Sequence, residues 1–326
     1  MAWRLRLAPE KTNINFFALQ WLTFGGSMFL MVAAIVIWAA MGLNFGIDFK
    51  GGTTIRTDSS TPVDAGLYRD TLQALNLGDI AINEVFDPSF GADQHVASIR
   101  ISAVEGQDSI SEDTLNQVKA ALVKMDPKLT IPSIESVGPK VSGELVTSSL
   151  IAVAVTSFGI MAYIWLRFEW QFALGGVLAL LHDVIITVGI FALFQIKFDL
   201  TIVAALLTIL GYSINDTVVV FDRLRENLVK YKTMPLRDVM NLSVNETLSR
   251  TLMTSLTTLI AVGSMLVLGG DVIRGFSFAI FIGVFLGTYS SVYVAKNLVL
   301  FLGLDRSEKS KKTGKGPDHE FANIDA

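Results

Sequence analysis

From Thr12 to Ile47 the chain carries no charged residue. A run of that kind leaves few options. Inside a bilayer every backbone N–H and C=O must be satisfied within the protein, so an apolar segment crosses only as a helix or as part of a closed barrel. A helical span needs about 20 apolar residues. Six stretches meet that length, at 18–41, 145–166, 172–194, 200–221, 251–269 and 275–295. The reading is a polytopic α-helical membrane protein with six transmembrane helices. Composition agrees, with 51% of the 326 residues hydrophobic and only 17% charged. Arg4, Arg6 and Lys11 ahead of the first run give it the look of a cleavable signal, but the run is far longer than a signal's apolar region. It is read as an uncleaved first span.

The chain has no cysteine, which excludes disulfides, thiol catalysis and thiolate metal sites. His95, His182 and His319 are far apart and form no metal motif. A net charge of -4 gives no sign of nucleic-acid binding. No cofactor is called for.

Orientation follows from where the basic residues fall. With residues 1–17 placed in the cytoplasm, the inner segments carry Arg4, Arg6, Lys11, Arg167, Arg223, Arg225 and further basic residues up to Lys315. The short outer links carry only Lys197 and Arg274. Trp21 and Trp38 bracket the first span, as in an aromatic belt. The end of the chain, 304–326, is charged and glycine-containing and reads as a disordered cytoplasmic tail whose lysines are solvated or touch anionic lipid. Both termini are then cytoplasmic, and residues 42–143 form one extracytoplasmic domain.

That domain reads as alternating elements. Thr53–Thr57, Ile80–Phe86, Val96–Val104 and Thr130–Val137 have strand character. A helix over Val63–Leu75 is expected to start after Pro62, and a second to open at Ser111-Glu-Asp-Thr114. The order β-α-β-β-α-β points to a two-layer, ferredoxin-like α+β domain between the first and second spans. The five later spans, 145–303, form a bundle.

Three groups of residues bear on function. Asp216 lies in an otherwise apolar run, Gly211-Tyr-Ser-Ile-Asn-Asp-Thr-Val-Val-Val-Phe221. A carboxylate at the centre of a membrane helix costs roughly 2.5–3.5 kcal/mol on insertion scales, and such groups are usually functional. Asp216 is either a proton-titrating group or a hydrogen-bonded tie between helices. Arg250, in Ser249-Arg-Thr251 at the mouth of the fifth span, either pairs with Asp216 or is one more inner basic anchor. The hydroxyl-rich run Thr251, Thr254, Ser255, Thr257 and Thr258 either lines a wetted proton path or makes helix–helix hydrogen bonds. His182-Asp183 in the third span is a second relay candidate, with a structural contact as its alternative. Asp183 and Asp216 sit too far apart in depth for a shared-proton protease dyad. In Phe45-Gly-Ile-Asp-Phe-Lys-Gly-Gly52, Gly51 and Gly52 allow a tight turn, and Asp48 is a functional acid or a turn residue. Gly283 and Gly287 form a small-xxx-small spacing suited to close helix packing, within the chain or with another one.

Taken together these segments resemble the SecD/SecF family of protein-export membrane proteins, within the RND superfamily. The match is carried by Phe45–Gly52, by Val137-Gly-Pro-Lys-Val-Ser-Gly-Glu-Leu145, by Gly211–Asn227, by Ser249-Arg-Thr251 and by Gly287-Thr-Tyr-Ser-Ser291. The resemblance implies one six-span half of a twelve-span unit completed by a SecD partner. It implies association with the SecYEG channel, with YajC as a further candidate companion, and with a translocating preprotein. It implies protons as the coupling ion, with the family's transmembrane aspartate at Asp216 and its arginine at Arg250. The chain would then be a gradient-driven transport subunit of the bacterial inner membrane rather than an enzyme. A scaffold that stabilises the channel without proton coupling is the alternative.

Overall fold

The computed structural model describes residues 12–304, apart from 76, 78–79, 86, 88–89, 92, 103–109 and the side chain of Asp271. Most of the stretch 1–17, all of 305–326, and the ends of two expected strands (Phe86 and 103–104) lie outside the described residues.

In chain order the elements are α1 (Gln20–Met41), β1 (Asn44–Phe45), α2 (Ile47–Lys50), β2 (Gly52–Ser59), α3 (Ala65–Gln73), β3 (Ile80–Val85), β4 (His95–Ser102), α4 (Glu112–Met125) and β5 (Thr130–Val137). They continue with α5 (Pro139–Arg167), α6 (Trp170–Leu193), β6 (Lys197–Phe198), α7 (Leu200–Lys230), α8 (Leu236–Leu268), α9 (Asp271–Ser290), a π-helical turn (Ser291–Ala295) and α10 (Lys296–Leu302). Six helical stretches are long and apolar enough to cross a membrane, the last being Val272–Leu302. The number is the one expected, but several helices run past the apolar stretches. α5 starts at Pro139, α7 continues to Lys230, and α8 begins at Leu236, well before Arg250. Polar residues prolong a helix beyond the lipid at no cost, because water satisfies its exposed face.

Residues 52–137 build a four-stranded antiparallel sheet in the order β3-β4-β2-β5 with two helices against it. Alternation along the strands puts Ile55, Ala97, Ile99 and Ile101 on one face, where they meet Tyr68, Leu72, Val118 and Leu122. Burying each large aliphatic side chain contributes about 1.5–3 kcal/mol, so this cluster gives the layer a core of its own. Ser111 caps α4 by accepting from Thr114 N–H, as the pattern Ser111–Thr114 foretold. α3 departs from expectation. It starts at Ala65, not after Pro62, because the Asp64 side chain accepts from the N–H groups of Gly66 and Leu67 and fixes the first turn there.

The bundle has an inner and an outer layer. About half or more of the apolar window of α6, of α7 and of Val272–Leu302 is buried, against 11% for α1 and α8 and none for α5. Lipid tails are as apolar as leucine, so the inner helices associate through close contact rather than hydrophobic transfer. Gly283 and Gly287 supply it: a Cβ at Gly283 would collide with Ile209, and one at Gly287 would lie 2.8 Å from Ser213 Cβ. Both glycines therefore close α9 onto α7 of the same chain, which resolves the open alternative of an interface with another chain.

Short segments couple the sheet to the bundle. β1 pairs in parallel with β6, and Arg100 Nη1 donates to Phe45 O at 2.9 Å. Gly51 has φ +71, and a Cβ there would lie 3.3 Å from the Pro139 backbone, so a side chain is both strained and crowded. Gly52, at φ 123, continues the same turn.

Two outcomes are expected. Gly283→Leu overpacks the α7–α9 contact and lowers stability by about 1–3 kcal/mol, seen as a reduced melting temperature in detergent. In the sheet layer, the Ser59 hydroxyl and then the Lys128 backbone N–H hold the Asp126 carboxyl below the usual carboxylate range. A depressed folded-state value adds stability above about pH 4 and withdraws it as pH falls further. Amide protection factors at the end of β2 and in α4, corrected for the intrinsic exchange rate, should therefore fall on acidification, and Asp126→Asn should remove that dependence.

Candidate functional site: a polar seam inside the bundle

His182 and Asp183 interrupt the apolar face of α6 where it packs on α1, α7 and α9. Both are buried, Asp183 completely. An ionised carboxylate in such a place is tolerable only when hydrogen bonds answer it. Ser213 Oγ on α7 donates to Asp183 Oδ2 at 2.8 Å, and Ser290 Oγ on α9 donates to the same oxygen at 2.7 Å. His182 Nδ1 lies 2.9 Å from Oδ1, and its Nε2 lies 2.5 Å from Ser27 Oγ on α1. With the ring neutral and the carboxylate ionised, Nδ1–H donates and Nε2 accepts from Ser27. One carboxylate thus gathers four helices.

Asp216 lies almost one turn beyond Ser213 on α7 and is 3% exposed. Ser255 Oγ on α8 donates to its Oδ2 at 3.3 Å, and Thr288 Oγ1 on α9 donates to Ser255 Oγ at 2.6 Å. One step away, Thr217 and Ser291 share a hydrogen bond of 2.8 Å. Thr288, Ser290 and Ser291 of the last span therefore bridge the surroundings of both carboxylates without joining the carboxylates to each other.

Arg250 is within electrostatic reach of Asp216 but makes no ion pair with it among the described residues. Arg250 instead is exposed to a cavity of 460 Å3 at the end of the bundle opposite the sheet. The cavity is also lined by Arg167, Asp222, Arg223, Glu226 and Glu246. Arg223 is held at 2.7 Å from Glu246 and also pairs with Glu226, while Arg167 pairs with Asp222 at 3.3 Å. These pairs are partly exposed, so each contributes about 0.2–1 kcal/mol at most.

The other residues singled out from the sequence lie elsewhere. Asp48 Oδ2 accepts from Leu200 N–H at 3.0 Å, so it caps the opposite end of α7 and takes no part in the seam. Gly51 and Gly52 shape the turn into the sheet, and Gly283 and Gly287 bring α9 close enough for its hydroxyls to reach α7.

Lys296 went unnoticed in the sequence. It is 1% exposed, its Nζ donates to Phe16 O at 3.0 Å, and it stands 3.9 Å from the Phe17 ring centroid. Arg237 approaches the same ring from α8 and donates to Phe17 O at 3.0 Å. Asn241 and Asn245 bond Ile14 and Phe16, so the segment Thr12–Phe17 is strapped across the end of the bundle. The signal was present: a lone lysine within the last apolar run, Ser291-Val-Tyr-Val-Ala-Lys-Asn297.

Fold and seam together define a polytopic helical membrane protein with two buried carboxylates inside its bundle. Comparison with known proteins gives the family. The model described as "Protein export membrane protein SecD/SecF, C-terminal" matches residues 117–305, and that described as "SecD/SecF GG Motif" matches residues 36–63, which include Gly51 and Gly52. Protein translocase subunit SecF of Cereibacter sphaeroides is 67% identical over 326 residues, covering 100% of both chains. That of Rhodobacter capsulatus is 64% identical over 317 residues, 95% of each chain. The crystal structure of SecDF from Thermus thermophilus, titled a translocon-associated membrane protein, superposes with a TM-score of 0.81 at 34% identity. It covers 91% of this chain, which spans only 39% of that longer one. The chain belongs to the SecD/SecF family of protein-export membrane proteins, among its SecF members.

Lys296→Met removes the donor to Phe16 O while keeping most of the stem's volume. Loss of a hydrogen bond from a charged group costs about 1.5–3 kcal/mol, so amide exchange across residues 13–17 should rise by at least tenfold.

Proposed function

We propose that this chain is the SecF-type half of a SecD–SecF complex that uses the proton gradient to promote protein translocation through the SecYEG channel. The observation that carries the reading is Asp216. It is a carboxylate inside the bundle, met by neutral hydroxyls of Ser255 and Thr254, with a cationic Arg250 near but in no ion pair with it among the described residues. A group so placed can change protonation without breaking an ion pair. The likeness to a single SecDF chain, of which this chain corresponds to 39%, supports a SecD partner that supplies the remaining spans.

In this reading the protein sits in the bacterial inner membrane. Both termini and the charged cavity face the cytoplasm, and the sheet layer is a periplasmic, ferredoxin-like domain that meets the emerging preprotein. Protons are the coupling ion, no cofactor takes part, and the chain is a transport subunit rather than an enzyme. YajC is a companion of the same assembly, and lipids cover the outer helices.

The cycle follows from the contacts. Protonating Asp216 removes a charge from the α7–α8 contact and weakens the pull on Arg250. Deprotonating it restores both. A proton drives a change only if the two packings bind it with different affinity. Each elementary charge crossing 100 mV supplies about 2.3 kcal/mol, so repeated cycles are needed to draw a chain forward. Movement passes to the sheet layer through α1, α2 and α5, whose junctions at Gly51, Pro139 and Phe45 leave little slack. His182 and Asp183 hold a different role here. Their donors are all engaged, so they position α1 against α6, α7 and α9, and a relay through them would require Ser213 or Ser290 to let go.

Asp216→Asn should leave assembly with the partner intact. It should reduce gradient-dependent export of a model preprotein by about a hundredfold, or to background, as expected when a proton-transfer group is lost. Gradient dependence retained at full size in Asp216→Asn would leave a scaffold for the channel as the better reading.

A further inference from the structure

One face of α8 carries hydroxyls at every fourth residue: Ser243, Thr247, Thr251 and Ser255. All four are buried. Their roles differ. Ser243 Oγ accepts from Asn227 Nδ2 at 3.1 Å. Thr247 lines the charged cavity and donates to Ser243 O at 3.0 Å. Ser255 donates to Asp216. Thr251, at 1% exposure, has a hydroxyl oxygen with no hydrogen-bond partner among the described residues. An unsatisfied hydroxyl in a sealed helix contact costs about 1–3 kcal/mol, and it stands midway between the cavity and the Asp216 site.

Spacing gives that hydroxyl a use. Residues four apart on a helix lie one above the other, separated by about 6 Å of rise. Two hydrogen bonds through one water oxygen span about 4.5 Å at its tetrahedral angle and about 5.6 Å at most. One or two waters therefore link each pair along Thr247, Thr251 and Ser255. A valine at 251 fills the same space and closes the chain of donors.

We propose that Thr251 is a proton-conducting position on the route between the charged cavity and Asp216, with Thr247 at its mouth and Ser255 at its inner end. The proposal rests on the reading of Asp216 as the proton carrier. From the cavity toward Asp216, a hydronium gives up one O–H bond and keeps the electron pair as water. Each oxygen along the column then accepts one proton and releases another. The last proton forms an O–H bond to an Asp216 oxygen, which neutralises the carboxylate. Reversal of the same steps discharges Asp216. Thr251 touches the moving proton but keeps none.

The test uses the complete complex with its SecD partner, reconstituted in liposomes under an imposed proton gradient. An enclosed pH dye reads proton flux, preprotein import into inverted vesicles reads work, and thermal melting reads stability. Thr251→Val, Thr251→Ser and Asp216→Asn are compared. The expected result is that Thr251→Val lowers flux and import about tenfold or more, with a melting temperature close to the parent's because valine fills the same space. Thr251→Ser keeps both activities. Parental flux in Thr251→Val beside a dead Asp216→Asn overturns the route and leaves the Asp216 reading standing. A lowered melting temperature in Thr251→Val that accounts for its lost flux also overturns it, by making the hydroxyl a packing element. Parental flux in Asp216→Asn removes the carrier, and the route with it.

Discussion

A carboxylate away from water has to be surrounded by donors, and Asp183 takes its donors from α1, through His182, and from α7 and α9. That requirement organises the bundle. Helices in lipid gain little from apolar contact alone, so a polar group that needs partners on several neighbours sets their mutual rotation as well as their distance. The small residues follow from it. Without Gly283 and Gly287, α9 stands too far from α7 for Ser290 and Ser213 to reach the same oxygen.

The second carboxylate is held differently, and the contrast separates the two by role. Asp183 is enclosed and fully answered. Asp216 meets hydroxyls of α8, Ser255 at 3.3 Å and Thr254 beside it, with a cation close by and a charged cavity about two turns along the seam. Enclosure suits a tie between helices. Sparse engagement suits a group that changes state, since fewer contacts must be remade each time. The outer ends of the same helices bear the consequences, because Asp48 caps α7 and Gly51 turns against α5 where the sheet layer begins.

Much of this was legible in the sequence. Six long apolar runs announced six spans, and alternating apolar residues announced strands of the sheet layer, because both patterns report burial directly. Ser111 was readable as a cap since its hydroxyl acts locally. Asp64 was missed for the opposite reason: Pro62 made a competing local signal, and only the folded loop shows which one fixes the helix start. The apolar runs mark the spans but not the helix ends, which polar turns carry further, as at Lys230 and Leu236. Contacts between distant segments were out of reach. Nothing in the spacing of Asp216 shows that a hydroxyl of α8 reaches it, and nothing around Lys296 foretells that Phe16 and Phe17 return to meet it.

The π-helical turn at Ser291–Ala295 changes how the last span is keyed to its neighbours. A π turn holds one residue more than an α turn, and one residue is worth about 100° of rotation. Everything after Ala295 is therefore dialled round relative to the helix before it. Ser290 and Ser291 can face the seam while Lys296 and Asn297, a few residues later, also face inward rather than toward lipid. A single wide turn lets one helix present two inward faces, one serving the carboxylates and the other gripping the start of the chain.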